Sequence, residues 1–111
     1  MTTYAPRRGD VVWLTFNPQA GHEQAGRQPA IVISPESYNR KVGLALFCPI
    51  TTRVKGYPFE VALPESHGTT GAILTDQLKS LDWRARRVEF IETLPEKVVA
   101  EVLRKVNLLT G

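Results

Sequence analysis

The chain is poor in the residues and segments that mark secretion, disulfide cross-linking or membrane insertion. Cys48 is its one cysteine, so no internal disulfide can form, and this fits a reducing compartment. No segment approaches the run of about 20 apolar residues that a membrane-spanning helix requires. The N-terminal sequence MTTYAPRRGD is polar from its start and offers no hydrophobic core of a signal peptide. We therefore expect a cytoplasmic protein.

Histidine is almost as scarce, which bears on metal binding. The two histidines, His22 and His67, stand apart, neither belongs to an HxxxH or CxxC spacing, and the carboxylates do not cluster. A zinc or two-metal site therefore has little support, and we expect no metal and no other cofactor. A pair of histidines acting together on RNA stays open as an alternative, although the SHGTTG segment around His67 is also typical of a surface turn.

The length and the charge are moderate and bound the class of protein. The chain has 111 residues, enough for a single domain over residues 1–111. Residues 1–87 carry 11 Lys and Arg against 7 Asp and Glu, whereas residues 88–111 carry 3 against 4. A basic surface on the first part of the chain favours nucleic acid or another polyanion as partner. An ordinary solvated surface would explain so small an excess equally well.

Short apolar or alternating runs rich in Val, Ile, Phe and Thr recur along the chain and predict a mainly antiparallel β protein. They cover residues 10–16, 30–34, 44–51, 57–63, 72–78 and 88–93. Five or six such strands form a small barrel or sandwich. Pro49 and Pro58 lack a backbone donor, so they predict edge positions or bulges in the third and fourth strands.

The end of the chain changes from strand to helix periodicity. Residues 93–96 form a capping-box pattern, with Pro95 in the first turn. Apolar residues then follow at helical spacing, namely Val98, Val99, Val102, Leu103, Val106 and Leu109. The pattern predicts one amphipathic C-terminal α-helix that covers the sheet.

A long connection between the first two strands is the first candidate for chemistry. Residues 17–29 join strands that as a hairpin would need two to five residues, and Gly21 and Gly26 flank a charged centre. This segment contains a base, a carboxylate, two amides and a guanidinium, supplied by His22, Glu23, Gln24, Arg27 and Gln28. Such a set suits proton transfer and charge stabilisation at a phosphodiester. The alternative is a solvated loop without function.

Two later segments add groups that suit RNA. They contain hydroxyl groups, cations, a carboxylate and an amide, supplied by Thr51, Thr52, Arg53, Lys55, Asp76, Gln77, Lys79, Ser80, Arg84, Arg86 and Arg87. Hydroxyls and cations contact phosphate, whereas Asp and Gln match the edges of unpaired bases, so the mixture suits single-stranded RNA. The RARR segment would also protect a strand edge. Trp13 and Trp83 are candidates for base stacking, but the alternating strand places Trp13 in the core.

Three segments in this order resemble the MazF/PemK family of toxin endoribonucleases: GDVVWLTFNPQAGHEQAGRQPAIVIS, PITTRVKGYPFEVAL and TDQLKSLDWRAR. The resemblance implies an SH3-like antiparallel barrel with a C-terminal helix, a homodimer with an RNA groove, and inhibition by a cognate acidic, MazE-like antitoxin. It also implies metal-independent cleavage of single-stranded mRNA at a short sequence. The 2′-hydroxyl would attack the adjacent phosphate and leave a 2′,3′-cyclic phosphate and a 5′-hydroxyl.

The resemblance assigns catalytic residues, with two departures. The MazF branch pairs an Arg immediately before the closing Pro of the loop with a Thr that matches Thr51, but Gln28 precedes Pro29 here and the Arg stands one place earlier, at Arg27. The PemK-like branch uses a His and an Asp that match His22 and Asp76, and Leu74 replaces its Arg. We expect a composite site. Its phosphate charge is stabilised by Arg27, with Arg53 in reserve, its hydroxyl donor is Thr51, and its proton is moved by Glu23, His22 or Asp76.

RNA binding is expected to involve more of the chain than catalysis. Base selection falls to the loop and to the Asp76–Gln77 pair. The candidates for RNA contact are Asn17, Pro18, Gln24, Gln28, Arg53, Lys55, Gln77, Lys79, Ser80, Arg84 and Arg86. Two other functions are weighed beside the nuclease: a toxin of similar fold that traps DNA gyrase without cutting RNA, and a module that binds nucleic acid without catalysis.

Overall fold

The described part of the chain forms an antiparallel sheet with two helices. The computed structural model describes residues 4–15, 27–64 and 68–111. Its strands are β1 (Asp10–Thr15), β2 (Arg27–Val32), β3 (Leu44–Thr51), β4 (Glu60–Ala62), β5 (Ala72–Leu74), β6 (Lys79–Asp82) and β7 (Glu89–Thr93). Its helices are α1 (Glu36–Val42) and α2 (Glu96–Thr110), and a 3-10 turn covers Thr75–Gln77. No helix in these ranges is long and apolar enough to cross a membrane.

The long strand β3 lies at the centre of the sheet. The strand order is β4-β5-β3-β2-β1-β7, and β6 also pairs with β3. On the side away from β2, the first half of β3 pairs with β6, as Phe47 opposite Lys79 shows, and its end pairs with β5, where Ile50 faces Ile73. Pro49 stands between these two pairings, where the missing N–H of proline interrupts no ladder on that side. The predicted edge position for Pro49 is therefore wrong: Pro49 pairs with Ala30 in an inner strand, in the gap between the β6 and β5 pairings on the other side.

Both faces of the sheet are covered by apolar side chains, because alternate residues of a strand point to opposite faces. Val11 belongs to one buried cluster and Val12 to the other. The first cluster includes Cys48 and continues into α2 through Val102. Burial, with a smaller contribution from the Asp76 carboxylate, raises the pKa of the Cys48 thiol to about 12. Cys48 is therefore a neutral core residue.

The predicted fold class is confirmed: the protein is mainly antiparallel β with a C-terminal helix. Several boundaries differ from the prediction. The second strand begins at Arg27 rather than at residue 30, and the fourth is only Glu60–Ala62, so Pro58 lies outside it. The predicted strand 72–78 is interrupted by the 3-10 turn, after which β6 follows as an unpredicted strand.

Helix α1 was missing from the prediction because it buries a polar residue rather than an apolar stripe. Asn39 is its buried residue, so the segment ESYNRKV carries no hydrophobic periodicity. The sequence does contain end signals for this helix. Pro35 precedes its first residue, and Gly43 follows its last with a φ of 82° and an N–H that donates to the carbonyl of Asn39.

The C-terminal helix is confirmed, but its capping box is wrong. Pro95 is the N-cap and provides no side-chain hydrogen bond. The Thr93 hydroxyl donates instead to the buried Asp10 carboxylate, at 3.0 Å. Asp10 also accepts from the Tyr4 hydroxyl at 2.5 Å, and burial and this bond raise the pKa of Tyr4. The Thr93 side chain therefore ties β7 to the start of β1. Leu109, predicted on the buried face, is 51% exposed.

Asn39 joins three parts of the chain through its hydrogen bonds. Its side-chain Nδ2 donates to the carbonyls of Pro6 and Ser34, at 2.8 and 3.0 Å, and its Oδ1 accepts from the Ser34 hydroxyl at 2.6 Å. Its backbone carbonyl accepts from Trp83 Nε1 at 3.0 Å. Trp83 is only 2% exposed, so it is a core residue rather than a platform for bases.

Replacing Asn39 is expected to destabilise the fold strongly, because Asn39→Ala leaves buried carbonyl and hydroxyl groups without partners. We expect the free energy of unfolding to fall by about 2–4 kcal/mol, measured by urea denaturation followed by far-UV circular dichroism. Asn107→Ala, at an exposed position of α2, is the control and should change stability by less than about 0.5 kcal/mol. Equal effects of the two substitutions would contradict the role of Asn39.

Candidate functional site

An open groove of about 560 Å³ lies beside the end of β3. Its walls come from the ends of several strands and from the segment before β5. The lining residues are Trp13, Gln28, Pro29, Pro49, Ile50, Thr51, Thr52, Gly68, Thr69, Thr70, Leu74, Gln77 and Ile91. Within the described ranges, none of these side chains carries a charge. The groove thus combines apolar surface with amides and hydroxyls.

Thr51 is the last residue of β3 and lines this groove. The Oγ1 atom accepts the backbone N–H of Arg53 at 3.0 Å. This local bond fixes the side-chain rotamer and occupies one lone pair of the oxygen. The hydroxyl proton finds no acceptor among the described residues. Thr51 can therefore donate a hydrogen bond to a ligand.

The backbone of Thr51 is held by a close approach from Gly71. Gly71 has a φ of 115°, and a Cβ atom built on it would lie 2.0 Å from the carbonyl oxygen of Thr51. Its own carbonyl accepts the N–H of Leu63 at 3.0 Å, and Ala72 after it pairs with Thr51. Any side chain at this position would push β5 away from β3. The position of Thr51 depends on glycine here.

A buried carboxylate orders the cationic segment that follows Thr51. Glu60 is 9% exposed, and its carboxylate accepts the backbone N–H groups of Lys55 and Gly56, the latter at 2.7 Å. Lys105 of α2 donates to the carbonyls of Pro58 and Glu60. The backbone of this segment is thus fixed while the Lys55 side chain is exposed. Sequence reasoning missed Glu60, since nothing in the motif distinguishes it from a surface carboxylate.

Asp76 and Gln77 lie in the 3-10 turn between β5 and β6, and both are exposed. Gln77 lines the groove. Asp76 accepts a hydrogen bond from the Tyr57 hydroxyl at 3.3 Å. Partial burial and the Asp76 carboxylate raise the pKa of Tyr57, so its phenol stays protonated and available as a donor. The structure therefore brings Gln77, but not Asp76, into the groove lining.

Arg27 is directed to the edge formed by β1 and β7 rather than into the groove lining. Its guanidinium donates to the Thr15 hydroxyl at 3.4 Å, to the Arg87 carbonyl at 3.1 Å, and to the Glu89 carboxylate. Only 19% of the Arg27 side chain is exposed. Gln28, the neighbouring residue, lines the groove in its place. The Arg27 side chain thus has three partners in this structure, and its catalytic role stays a prediction.

The remaining predicted RNA contacts are spread over a surface away from the groove lining. Lys79 and Ser80 are exposed on β6. The Arg84 guanidinium lies 4.5 Å from the ring centre of Trp83, and that of Arg86 donates to the Thr15 carbonyl at 3.2 Å. Arg53 is exposed beside Thr51. The cations of Lys79, Arg84 and Arg86 suit long-range attraction of a polyanion better than contact with one atom, whereas Arg53 directly follows the groove-lining residues Thr51 and Thr52.

Several of the predicted site residues lie outside the described ranges. They are Asn17, Pro18, His22, Glu23, Gln24 and His67. Among the residues that the structure describes, no group of three or more His, Cys, Asp and Glu could hold a metal ion.

Trp13 was expected in the core, and this expectation is wrong. Its side chain is 43% exposed and forms part of the groove wall. It lies opposite Pro29 on β2 and Glu89 on β7, near the end of β1, where the cover of α2 residues no longer reaches. The alternation of residues along β1 correctly predicts the face of the sheet on which Trp13 lies. It does not predict how far along that face the covering side chains extend.

Comparison with known sequences finds a matching family model and several similar proteins. A family model described as PemK-like, MazF-like toxin of type II toxin–antitoxin systems matches residues 7–110. The endoribonuclease toxin MazF of Escherichia coli K12 is 43% identical over 111 residues, which cover 100% of this chain and 99% of that protein. The endoribonuclease PemK of Escherichia coli is 33% identical, over 92% of this chain and 80% of its own.

Solved structures show the same similarity in three dimensions. Crystalline MazF from Deinococcus radiodurans superposes with a TM-score of 0.89 and is 53% identical, covering 98% of this chain and 99% of its own. A chain of a MazE–MazF crystal structure from the same organism gives a TM-score of 0.87 at 47% identity, with 98% of each chain covered. The similarity therefore extends over the groove and α2 alike.

Gly71→Ala is expected to disrupt the pairing of β3 with β5, because the added methyl group collides with the Thr51 carbonyl and the φ of Gly71 strains any L side chain. The free energy of unfolding should fall by at least about 2 kcal/mol. Gly68→Ala is the matched control, since a Cβ there meets no atom of the described residues within 4 Å. Urea denaturation measures both. A Gly71→Ala variant as stable as Gly68→Ala would refute the close approach.

Proposed function

We propose, from the premise that this chain belongs to the PemK-like, MazF-like toxins of type II toxin–antitoxin systems, that it cleaves single-stranded mRNA at a short sequence without a metal ion. Its enzyme class is endoribonuclease, as in the toxins to which it is similar over its full length. The observation that carries the finer proposal is the Thr51 hydroxyl. It is held at the end of β3 with a proton available for a ligand, at the position that matches the family's threonine.

The proposed reaction is a transesterification within the RNA. The 2′-oxygen of one nucleotide bonds to the adjacent phosphorus and loses its proton to a base, while the bond from phosphorus to the 5′-oxygen breaks and that oxygen gains a proton. The products are a 2′,3′-cyclic phosphate and a 5′-hydroxyl. Charge grows on the non-bridging oxygens in the transition state. A hydrogen bond from Thr51 to one of these oxygens would stabilise that charge.

We assign the cation of the site to Arg53 in preference to Arg27. Arg53 follows Thr51 by two residues, its N–H fixes the Thr51 oxygen, and its guanidinium has no partner in the described part of the chain. The Arg27 charge is already compensated by Glu89. Proton transfer stays assigned to Glu23, His22 or Asp76. Asp76 accepts the hydrogen bond of Tyr57, which orients its carboxylate near the turn.

The partners of this chain follow from the same premise. We propose that a cognate MazE-like antitoxin binds it, since the solved MazE–MazF structures of Deinococcus radiodurans contain a chain of this fold at 47% identity. An acidic antitoxin segment would complement the net charge of +3 and compete with RNA. We further propose a homodimer acting on mRNA in the cytoplasm. Light scattering of the purified protein at micromolar concentration measures the oligomeric state.

Incubation of the purified protein with long single-stranded RNA in excess EDTA tests the proposed reaction directly, with DNA of the same sequence beside it. The expected result is cleavage of RNA alone, at one short motif, with cyclic-phosphate and 5′-hydroxyl ends. DNA should stay intact because it lacks the 2′-hydroxyl. Cleavage that stops in EDTA would reject the metal-independent mechanism. Intact RNA would reject the cleavage and favour a toxin that traps gyrase, for which supercoiling by gyrase is the assay.

Thr51→Val tests the proposed hydroxyl donor. Valine keeps the shape of the side chain but removes the proton, so we expect kcat to fall by about 10²–10³-fold. Thr51→Ser restores the hydroxyl and should retain most of the activity. Thr110→Val, at an exposed position at the end of α2 and outside the groove lining, is the control and should cleave at nearly the rate of the parent protein. Full activity of Thr51→Val would remove Thr51 from the mechanism.

The two candidate cations are separated by a pair of identical substitutions. Arg53→Gln should lower kcat by about 10²-fold with unchanged stability, since its side chain is exposed and unpaired in the described ranges. Arg27→Gln should instead lower the urea midpoint, because it removes three hydrogen bonds at the β1–β7 edge. Initial rates on a fluorogenic RNA and urea denaturation measure both variants. The reverse pattern would return the catalytic role to Arg27.

A further inference from the structure

The segment that joins β3 to β4, residues 52–59, lies between two strands that do not pair with each other, because β5 separates them. Thr51 pairs with Ala72, the first residue of β5, and Glu60 pairs with Leu74, the last. The segment therefore runs back along β5 to reach the start of β4. Because it belongs to no strand ladder, its backbone N–H groups need other acceptors.

Two side chains accept three of these backbone N–H groups. The Thr51 hydroxyl accepts the N–H of Arg53. The Glu60 carboxylate accepts the N–H of Lys55 at both oxygens, at 3.2 and 3.1 Å, and that of Gly56 at 2.7 Å. Gly56 has a φ of 79°, so the backbone takes a left-handed conformation at the residue that the carboxylate holds. Glu60 thus fixes the part of the backbone that follows Arg53 and carries Lys55.

The negative charge of Glu60 is unfavourable at this place. Glu60 is 9% exposed, and no Lys or Arg side chain of the described residues forms an ion pair with its carboxylate. Lys105 donates to the Glu60 backbone carbonyl and pairs with Glu101 instead. A buried charge without a cation costs free energy, and a carboxylate near a site for RNA repels the polyanion. Its favourable contribution is therefore the hydrogen bonds to the segment.

We propose that Glu60 is a positioning residue for action on RNA. By accepting the N–H groups of Lys55 and Gly56, it keeps the segment in one conformation, in which the exposed side chains of Arg53 and Lys55 stand beside Thr51. Cations that are already ordered meet the charge of the RNA without an entropic cost of ordering on binding. This role rests on the proposed function, in which Arg53 supplies the cation of the site.

Substitution of Glu60 separates positioning from simple electrostatics, because the two effects have opposite signs. Glu60→Met removes both acceptor oxygens and one negative charge but keeps most of the side-chain volume. An electrostatic effect alone would make RNA bind more tightly. Positioning predicts weaker binding, by about 10-fold if the ordered conformation falls to a tenth of the population. The probe is a mixed-sequence 2′-O-methyl decaribonucleotide, whose blocked 2′-oxygen cannot react.

Two further variants complete this binding measurement. Glu60→Gln keeps one acceptor oxygen, so it should recover part of the affinity that Glu60→Met loses. Glu96→Gln removes the same charge at an exposed position in the first turn of α2 and is the matched control. It should bind the decanucleotide no more weakly than the parent protein.

A double-mutant cycle tests whether the effect of Glu60 is exerted through the two cations. In a protein that carries Arg53→Gln and Lys55→Gln, no cation is left for Glu60 to position, so Glu60→Met should no longer weaken binding. With both cations present, Glu60→Met should also lower kcat by about 10-fold and reduce the salt slope by up to about 1.4, the value for two phosphate contacts on a single strand. Damage elsewhere in the fold would weaken binding equally in both backgrounds.

Trypsin reports on the segment without RNA, because it cleaves after Arg53 and Lys55. In Glu60→Met these two bonds should be cut about 10-fold faster under native conditions, since opening the segment no longer breaks hydrogen bonds to a carboxylate. Cleavage after Arg104, in the middle of α2, reports on unfolding of the whole chain and should keep its rate. Glu60→Gln gives the same comparisons, with smaller effects, if Glu60→Met does not fold.

Four results would overturn the positioning role. They are tighter RNA binding by Glu60→Met, equal weakening with and without the two cations, unchanged cleavage by trypsin after Arg53 and Lys55, and a parent protein that does not bind the decanucleotide. Failure of the proposed reaction is a separate result. If natural RNA stays intact while the binding, the salt slope and the trypsin rates change as expected, Glu60 positions cations for RNA binding, and the proposed cleavage is rejected.

Discussion

The close approach of Gly71 to the carbonyl of Thr51 is the constraint on which the candidate site depends. It lets β5 pair with the end of β3, beyond the part of β3 that pairs with β6. The pairing fixes the last residue of β3, and the N–H of Arg53 then fixes its hydroxyl. The 3-10 turn that carries Gln77 connects β5 to β6, so the same pairing also sets the opposite wall of the groove.

The sheet could be predicted because its strands cover two separate buried clusters and therefore alternate or run apolar. Helix α1 could not, because its one buried contact is the polar network of Asn39. The turn inside the predicted strand 72–78 was hidden for a related reason. Thr75 is fully buried, and its hydroxyl donates a hydrogen bond to the Phe59 carbonyl. A buried β-branched residue is typical of a strand, so the sequence does not show that the strand ends before Thr75.

Individual residues of the candidate site could be predicted from the sequence, but their arrangement in space could not. Thr51, Gln28 and Gln77 were all named from the sequence, and the structure places them on one groove. The direction of the Arg27 side chain could not be predicted from the sequence, since its partners Glu89 and Arg87 are some sixty residues away in the chain. The exposure of Trp13 could not be predicted either. It depends on where the cover from α2 ends, and the periodicity of a strand gives no information about that.

The hydrogen bond from Arg27 to Thr15 also has a consequence for how such proteins diverge. These two residues are register partners, and they bracket the 11 residues from 16 to 26. The ends of that connection are therefore joined by the sheet itself, and doubling its length would add only about 0.6 kcal/mol of closure entropy. Insertions and deletions there leave the strand pairing unchanged. The strand pairing that forms the groove therefore does not depend on the length of this connection.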